Sequence, residues 1–129
     1  MESVVAEKLE SISVHGLANS RLKDYYDLWM LAETFEFDGG LLVRAVSATF
    51  RRRGTSLPSS IPDGLTPSFF LDEDRPRLWR AFLDRAGITG TPQAFPEIGV
   101  ALRAFLTPVL DAASGGHSLI KKWRDGAWS

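Results

Sequence analysis

The chain contains no cysteine, and that absence removes a disulfide framework, a thiolate zinc site and a cysteine nucleophile together. Histidine is nearly as scarce. His15 and His117 are the only two, and they lie far apart in sequence without the carboxylate support a zinc site needs, so no metal site is expected. A run of about 18 apolar residues, the length that spans a bilayer, is also missing. The opening MESVVAEKLE places acids where a secretion signal needs a basic end and an uninterrupted apolar stretch. A soluble, unexported chain located in the cytoplasm, with no membrane partner, is therefore expected. Charge of one sign is absent as an excess: fifteen basic residues face sixteen acidic ones, for a formal net charge of -1. No global field draws such a chain to nucleic acid, and any such contact needs a local patch.

With 129 residues, 44% of them hydrophobic, the sequence is long enough for one packed core and short for two, so a single domain over 1–129 is expected. Residues 3–15 place Val4, Val5, Leu9 and Ile12 at helical spacing, with Glu2, Glu7 and Glu10 largely off that stripe. Gly16 and Asn19-Ser20 interrupt the pattern. Ser20 is suited to cap a second helix from Arg21 to about Glu33, whose large apolar residues leave little polar face and predict a central position. Asp38-Gly39-Gly40 reads as a turn. A third helix follows from Leu41 to about Arg52, with Leu42, Val43, Val46 and Phe50 inward and Arg51, Arg52 and Arg53 at its C-terminal end, where positive charge suits the helix dipole.

Residues 54–70 hold three prolines and two glycines with no sustained period and predict a long loop. A fourth helix is expected from about Asp74 to Ala86 through Leu78, Trp79, Phe82 and Leu83. A fifth runs from about Pro96 to Ala112 through Ile98, Val100, Leu102, Phe105, Leu106 and Leu110, with Pro108 a candidate kink because it lacks the amide donor of an interior turn. The tail after Gly115-Gly116 has poor helical periodicity, and no strand or repeat stands out. The fold class is all-α, about five helices in a bundle-like domain.

Lys8, Asp24 and Asp27 are the residues this plan leaves unexplained. Lys8 lies within a turn of Val4, Val5 and Ile12, and the two aspartates share a helix side with Leu28 and Leu31, so all three are expected to be partly buried. Two readings fit. In one, an antiparallel hairpin of the first two helices pairs Lys8 with Asp24 or Asp27, because partly buried charges are usually paired. In the other, the lysine contacts a phosphate and an aspartate acts as base or orients a neighbour, as in phosphoryl and nucleotidyl transfer. Spacing alone does not separate them.

The stretch AEKLESISVHGLANSRLKDYYDLWMLAE, the segment ATFRRRGTSLP at 48–58 and LWRAFLDR at 78–85 resemble, in order and spacing, the C-terminal region of the AbiEii/AbiGii-type nucleotidyltransferase toxins. The resemblance is dense from residue 6 to about 58 and looser to about 110. It implies that Lys8 and Asp24 belong to an active site, with Asp27 as second acid. It also implies magnesium and a nucleoside triphosphate for the intact family enzyme, and a cognate antitoxin. Family members carry upstream a sheet with a Gly-Ser motif and an Asp-x-Asp pair that grips the metal and nucleotide, and before Met1 to the first helix this sequence offers no counterpart. GTS at 54–56 sits in the proline-rich loop, and DED at 72–74 reads as helix N-terminal acids, with no strand to hold either as a metal clamp. The chain alone is therefore expected to be inactive, and an exposed apolar face would be covered by self-association, a homodimer being expected more readily than a monomer, or by a separately encoded N-terminal domain. The competing expectation is a non-catalytic helical interaction module with an internal Lys-Asp ion-pair network.

Arg51, Arg52 and Arg53 with Arg44 offer phosphate or nucleic acid a local patch, against the plainer reading of a solvated helix end. Lys121, Lys122 and Arg124 around Trp123 offer a single strand a stacking clamp, against a packed tryptophan whose basic neighbours reach out to water. Ser20 near His15 lacks any Gly-x-Ser-x-Gly setting, and capping accounts for it.

Overall fold

The computed structural model describes residues 1–16, 22–90 and 94–129. Six helices run through them: α1 (Glu2–His15), α2 (Leu22–Thr34), α3 (Gly39–Arg52), α4 (Pro67–Leu71), α5 (Asp74–Arg85) and α6 (Phe95–Gly115). Three short strands, β1 (Phe37–Asp38), β2 (Lys122–Arg124) and β3 (Ala127–Trp128), form one antiparallel sheet in that order. The all-α class holds. The expected cap at Ser20 and the part of the link from 17 to 21 lie outside the described residues.

Local chemistry accounts for most helix ends. The Asp38 side chain accepts a hydrogen bond from the Leu41 amide at 3.1 Å and caps α3, satisfying a donor that the first turn leaves without an intrahelical partner. Pro67 begins α4 and Pro96 lies in the first turn of α6, where proline's missing amide costs no hydrogen bond. Gly116 closes α6 in the left-handed region at φ 67°. Pro108 lies inside α6, which continues past it to Gly115.

The core is built around α6, which buries Ile98, Leu102, Phe105, Leu106, Val109 and Leu110 and packs against α2, α3, α4 and α5. The central position expected for α2 belongs to this helix instead. Helix α6 is also the one described helix long and apolar enough by length and composition to cross a membrane, with a mean hydropathy of 1.2. Its apolar side chains serve as the core of the fold. Helix α1 lays Val5, Leu9 and Ile12 against the fold, all fully buried, and its main partner is α3 rather than α2. Each buried leucine- or valine-sized side chain contributes about 1.5–3 kcal/mol of hydrophobic stabilisation.

Two regions hold ordered elements where none was expected. Within the stretch 54–70, a 3-10 turn (Asp63–Leu65) and α4 bring Leu65, Phe69 and Phe70 into the core. Phe69 and Phe70 form an aromatic cluster with Tyr25 and Phe95, and Tyr25 Oη donates to the Gly64 carbonyl at 2.9 Å. The tail folds as a hairpin through Asp125 (φ 54°) and Gly126 (φ 79°), the positive-φ pair that a two-residue turn of matching twist requires. Trp123 Nε1 donates to the Ala32 carbonyl at 2.8 Å and Trp128 Nε1 to the Phe105 carbonyl at 2.9 Å. The hairpin is thereby tied to α2 and α6. Leu78 and Val100, expected to face inward, are exposed. On their helices the buried face is instead carried by Trp79 and by Ile98 and Leu102.

Candidate functional site

Helix α1 presents Glu7, Lys8, Glu10 and Ser11 toward two other segments. On one side stands the first turn and a half of α2. Lys8 Nζ donates to Asp27 Oδ2 at 2.9 Å and lies 3.5 Å from Asp24 Oδ1. Asp27 Oδ2 also accepts from Lys23 at 2.7 Å, and the Ser11 hydroxyl donates to Asp24 Oδ2 at 3.5 Å. Asp24 is only 6% exposed, while the Lys8 side chain keeps 22% of its surface open. The three residues singled out in the sequence therefore meet at one place.

The C-terminal end of α3 stands on the other side. Arg53 Nη1 donates to Glu10 Oε1 at 2.8 Å, and the Thr55 hydroxyl donates to Glu10 Oε2 at 2.6 Å. Arg52 approaches Glu7 at 3.5 Å and Arg53 approaches it at 3.9 Å. Backbone hydrogen bonds from Gly54 to Arg51 and from Thr55 to Phe50 close the turn that carries these groups, with Gly54 at φ 67°, a backbone state that side chains disfavour. Arg51 is exposed and joins no ion pair among the described residues. Of the arginine run, Arg53 alone lines the cleft.

Between the two sides lies an open cleft of about 380 Å³ lined by Val4, Glu7, Lys8, Ser11, Asp24 and Arg53. Burial works against ionising Asp27, but hydrogen bonds from Lys23 and Lys8 and their charges outweigh it, so its carboxyl lies below the ordinary value. Glu10 follows the same logic. Burial opposes its charge, hydrogen bonds from Thr55 and Arg53 overcome that cost, and the carboxyl stays below the ordinary value. Lys23 is held above the usual lysine range by its hydrogen bond and charge pairing with Asp27.

The donor set decides what the cleft is able to hold. Asp24 and Asp27 already face the Lys8 ammonium, and among the described residues no group of three or more histidines, cysteines or acids is placed to hold a metal ion. The residues present do not fit magnesium, which takes carboxylates together with substrate phosphates. A phosphate fits better. The guanidinium of Arg53 carries five donors, and its side chain is 41% exposed beside its bond to Glu10.

The sequence did not single out Glu10, Glu7, Ser11 or Thr55. Its available signal was the EKLE spacing, which sets Glu7 and Glu10 one turn apart on α1 and gives the distant arginine run a pair of acids to meet. The other candidates resolve plainly. Trp123 is 3% exposed and packed against Phe105, so the tail's basic residues flank a core tryptophan. Asp72 accepts from the Asp74 amide at 2.9 Å at the start of α5, and Asp72 and Asp74 pair with Arg75 and Arg77. A second cavity of about 480 Å³, lined among others by Arg44, Lys121 and Lys122, sits at the opposite end of α3 and contains none of Lys8, Asp24, Asp27 and Arg51 to Arg53.

Comparison with curated proteins and with solved structures yields no match. A family model does match, and it spans residues 1–104. That span takes in every segment that builds the cleft: the α1 acids and lysine, the α2 aspartates and the α3 arginine turn. The chain thus belongs to the family described as nucleotidyl transferase AbiEii toxin, type IV toxin–antitoxin system.

Proposed function

We propose that this chain supplies the nucleotide-facing helical half of a nucleotidyltransferase toxin and transfers no nucleotide by itself. The observation that supports the reading is the convergence of three segments on one solvent-open cleft, where a nearly buried aspartate pairs with a lysine and an arginine lines the same opening. Transfer requires an acceptor hydroxyl to attack the α-phosphorus as the bond to pyrophosphate breaks, and the hydroxyl proton must go to a base. Asp24 is the catalytic or orienting acid on this reading. Ser11 and Lys8 hold its two oxygens, which fixes its direction into the cleft. Lys8 contacts the nucleotide phosphates, Asp27 supports it from behind, and Arg53 adds a second cation at the α3 end, with Arg52 beside it and Arg51 further out.

Any magnesium that accompanies the nucleotide would neutralise charge at the phosphates on carboxylates other than Asp24 and Asp27, which face Lys8. A cognate antitoxin is the partner, and the cytoplasm is the location. A non-catalytic interaction module is the second reading, favoured by the closed state of the Lys8 pairs with both aspartates.

Nucleotide-dependent stability separates the two, since a ligand bound only by the folded chain raises its midpoint by mass action. The thermal midpoint should rise with at least one of ATP, CTP, GTP or UTP with magnesium, and the rise should vanish in Lys8→Met. No rise with any of the four would remove the nucleotide-binding reading and leave the ion-pair module.

A further inference from the structure

Glu10 is the most buried acid of the chain, 5% exposed, yet it is not spent on the lysine beside it in sequence space. Both of its oxygens reach across to the turn after α3. Oε1 accepts from Arg53 at 2.8 Å, and Oε2 accepts from the Thr55 hydroxyl at 2.6 Å. The two bonds span 43 and 45 residues of chain and grip the residues on either side of Gly54. A long, flexible arginine at an exposed helix end would ordinarily sample water. Here its position is fixed from one side, while its side chain remains 41% exposed and lines the cleft with Lys8 and Asp24. Lys8 meets two aspartates, and Arg53 faces Glu7 at 3.9 Å as well as Glu10. A guanidinium carries five donors against three for an ammonium, so Arg53 keeps the larger share of its donors for an anion.

We propose that Glu10 is a positioning residue: with Thr55 it holds Arg53 in the cleft, where the guanidinium binds the triphosphate of an incoming nucleotide. The inference rests on the nucleotide-binding reading above and adds a residue that reading does not use. Glu10 touches no substrate and acts through Arg53 alone. Fixing the guanidinium beforehand removes the ordering cost that a free arginine would carry on binding.

The test is a double-mutant cycle on the full chain, read as the dissociation constant for inorganic triphosphate and for each nucleoside triphosphate by calorimetric titration. Glu10→Gln keeps the shape but loses the charge, and should weaken binding about tenfold, the scale of a lost charge-assisted bond. In an Arg53→Met background the same substitution should change nothing further, an outcome that a merely structural role for Glu10 does not produce. Glu10→Asp, too short to reach Arg53, should reproduce the loss and serves where Glu10→Gln does not fold, which circular dichroism reports. Equal affinity in wild type and Glu10→Gln would overturn the positioning role alone. So would a loss that persists undiminished in Arg53→Met. No binding of any of these ligands by the wild-type chain would overturn the nucleotide-binding reading, and this inference with it.

Discussion

Glu10 and Asp27 are carboxylates whose charged forms the fold favours, and the sign of their contribution to stability follows from that. Both carboxyls lie below their ordinary values of 4.5 and 3.8 once folded, so the unfolded chain binds more protons through the acid range. Their stabilisation is present above those ordinary values and is lost as pH falls through the lower folded values. The urea midpoint of the wild-type chain should accordingly hold steady from about pH 7 to about pH 5 and decline below that. Glu10→Gln should decline less steeply over the acid limb, and parallel limbs for the two proteins would contradict the account. Legibility at this scale was uneven. Lys8, Asp24 and Asp27 stood out because each is a charge set among large apolar neighbours on a helix. Glu10 did not, because an acid at the edge of an amphipathic stripe has the pattern of a solvated face, and its partners lie 43 and 45 residues away. Only the packing of α1 on α3 converts that face into an interface.

Among the elements, α4 decides how the stretch after the arginine turn is held. A Cβ built on Gly99 would stand 2.5 Å from the Phe70 ring, which identifies the seat of α4 on α6 as a contact of ring on bare backbone. Gly99→Ala should displace Phe70 from its cluster with Tyr25 and Phe95 and cost about 1–3 kcal/mol, the range of overpacked cores. An unchanged urea midpoint in that variant would mean that α4 is not seated there. Helices α1, α2, α3, α5 and α6 were readable because each repeats its apolar residues over three or more turns. Helix α4 was not: five residues after a proline are too few to show a period, and its two phenylalanines are adjacent in sequence. The hairpin escaped for a related reason. Strands of two and three residues show no alternation, and the one local signal was the Asp125-Gly126 pair, a turn preference that carries weight only once flanking strands are seen.

Across the whole molecule, the apolar core and the polar cleft are built from the same helices. Buried faces of α1, α2 and α3 fix the backbone, and their remaining faces deliver Lys8, Asp24 and Arg53 to a common opening. The chain belongs to the AbiEii nucleotidyl transferase toxin family, and the nucleotide-binding role proposed for that opening has to be tested at the site itself, since fold alone does not fix function. On the nucleotide-binding proposal, segments 4–11, 22–27 and 52–55 form one ligand-binding surface. Amide hydrogen exchange of the full chain, with and without saturating nucleoside triphosphate and magnesium, tests it most directly, because ligand contact slows local opening where it occurs. Added protection is expected in all three segments together, with loss of that protection in Lys8→Met. Protection confined to the cavity beside Arg44, Lys121 and Lys122, or no protection at all, would contradict the proposal.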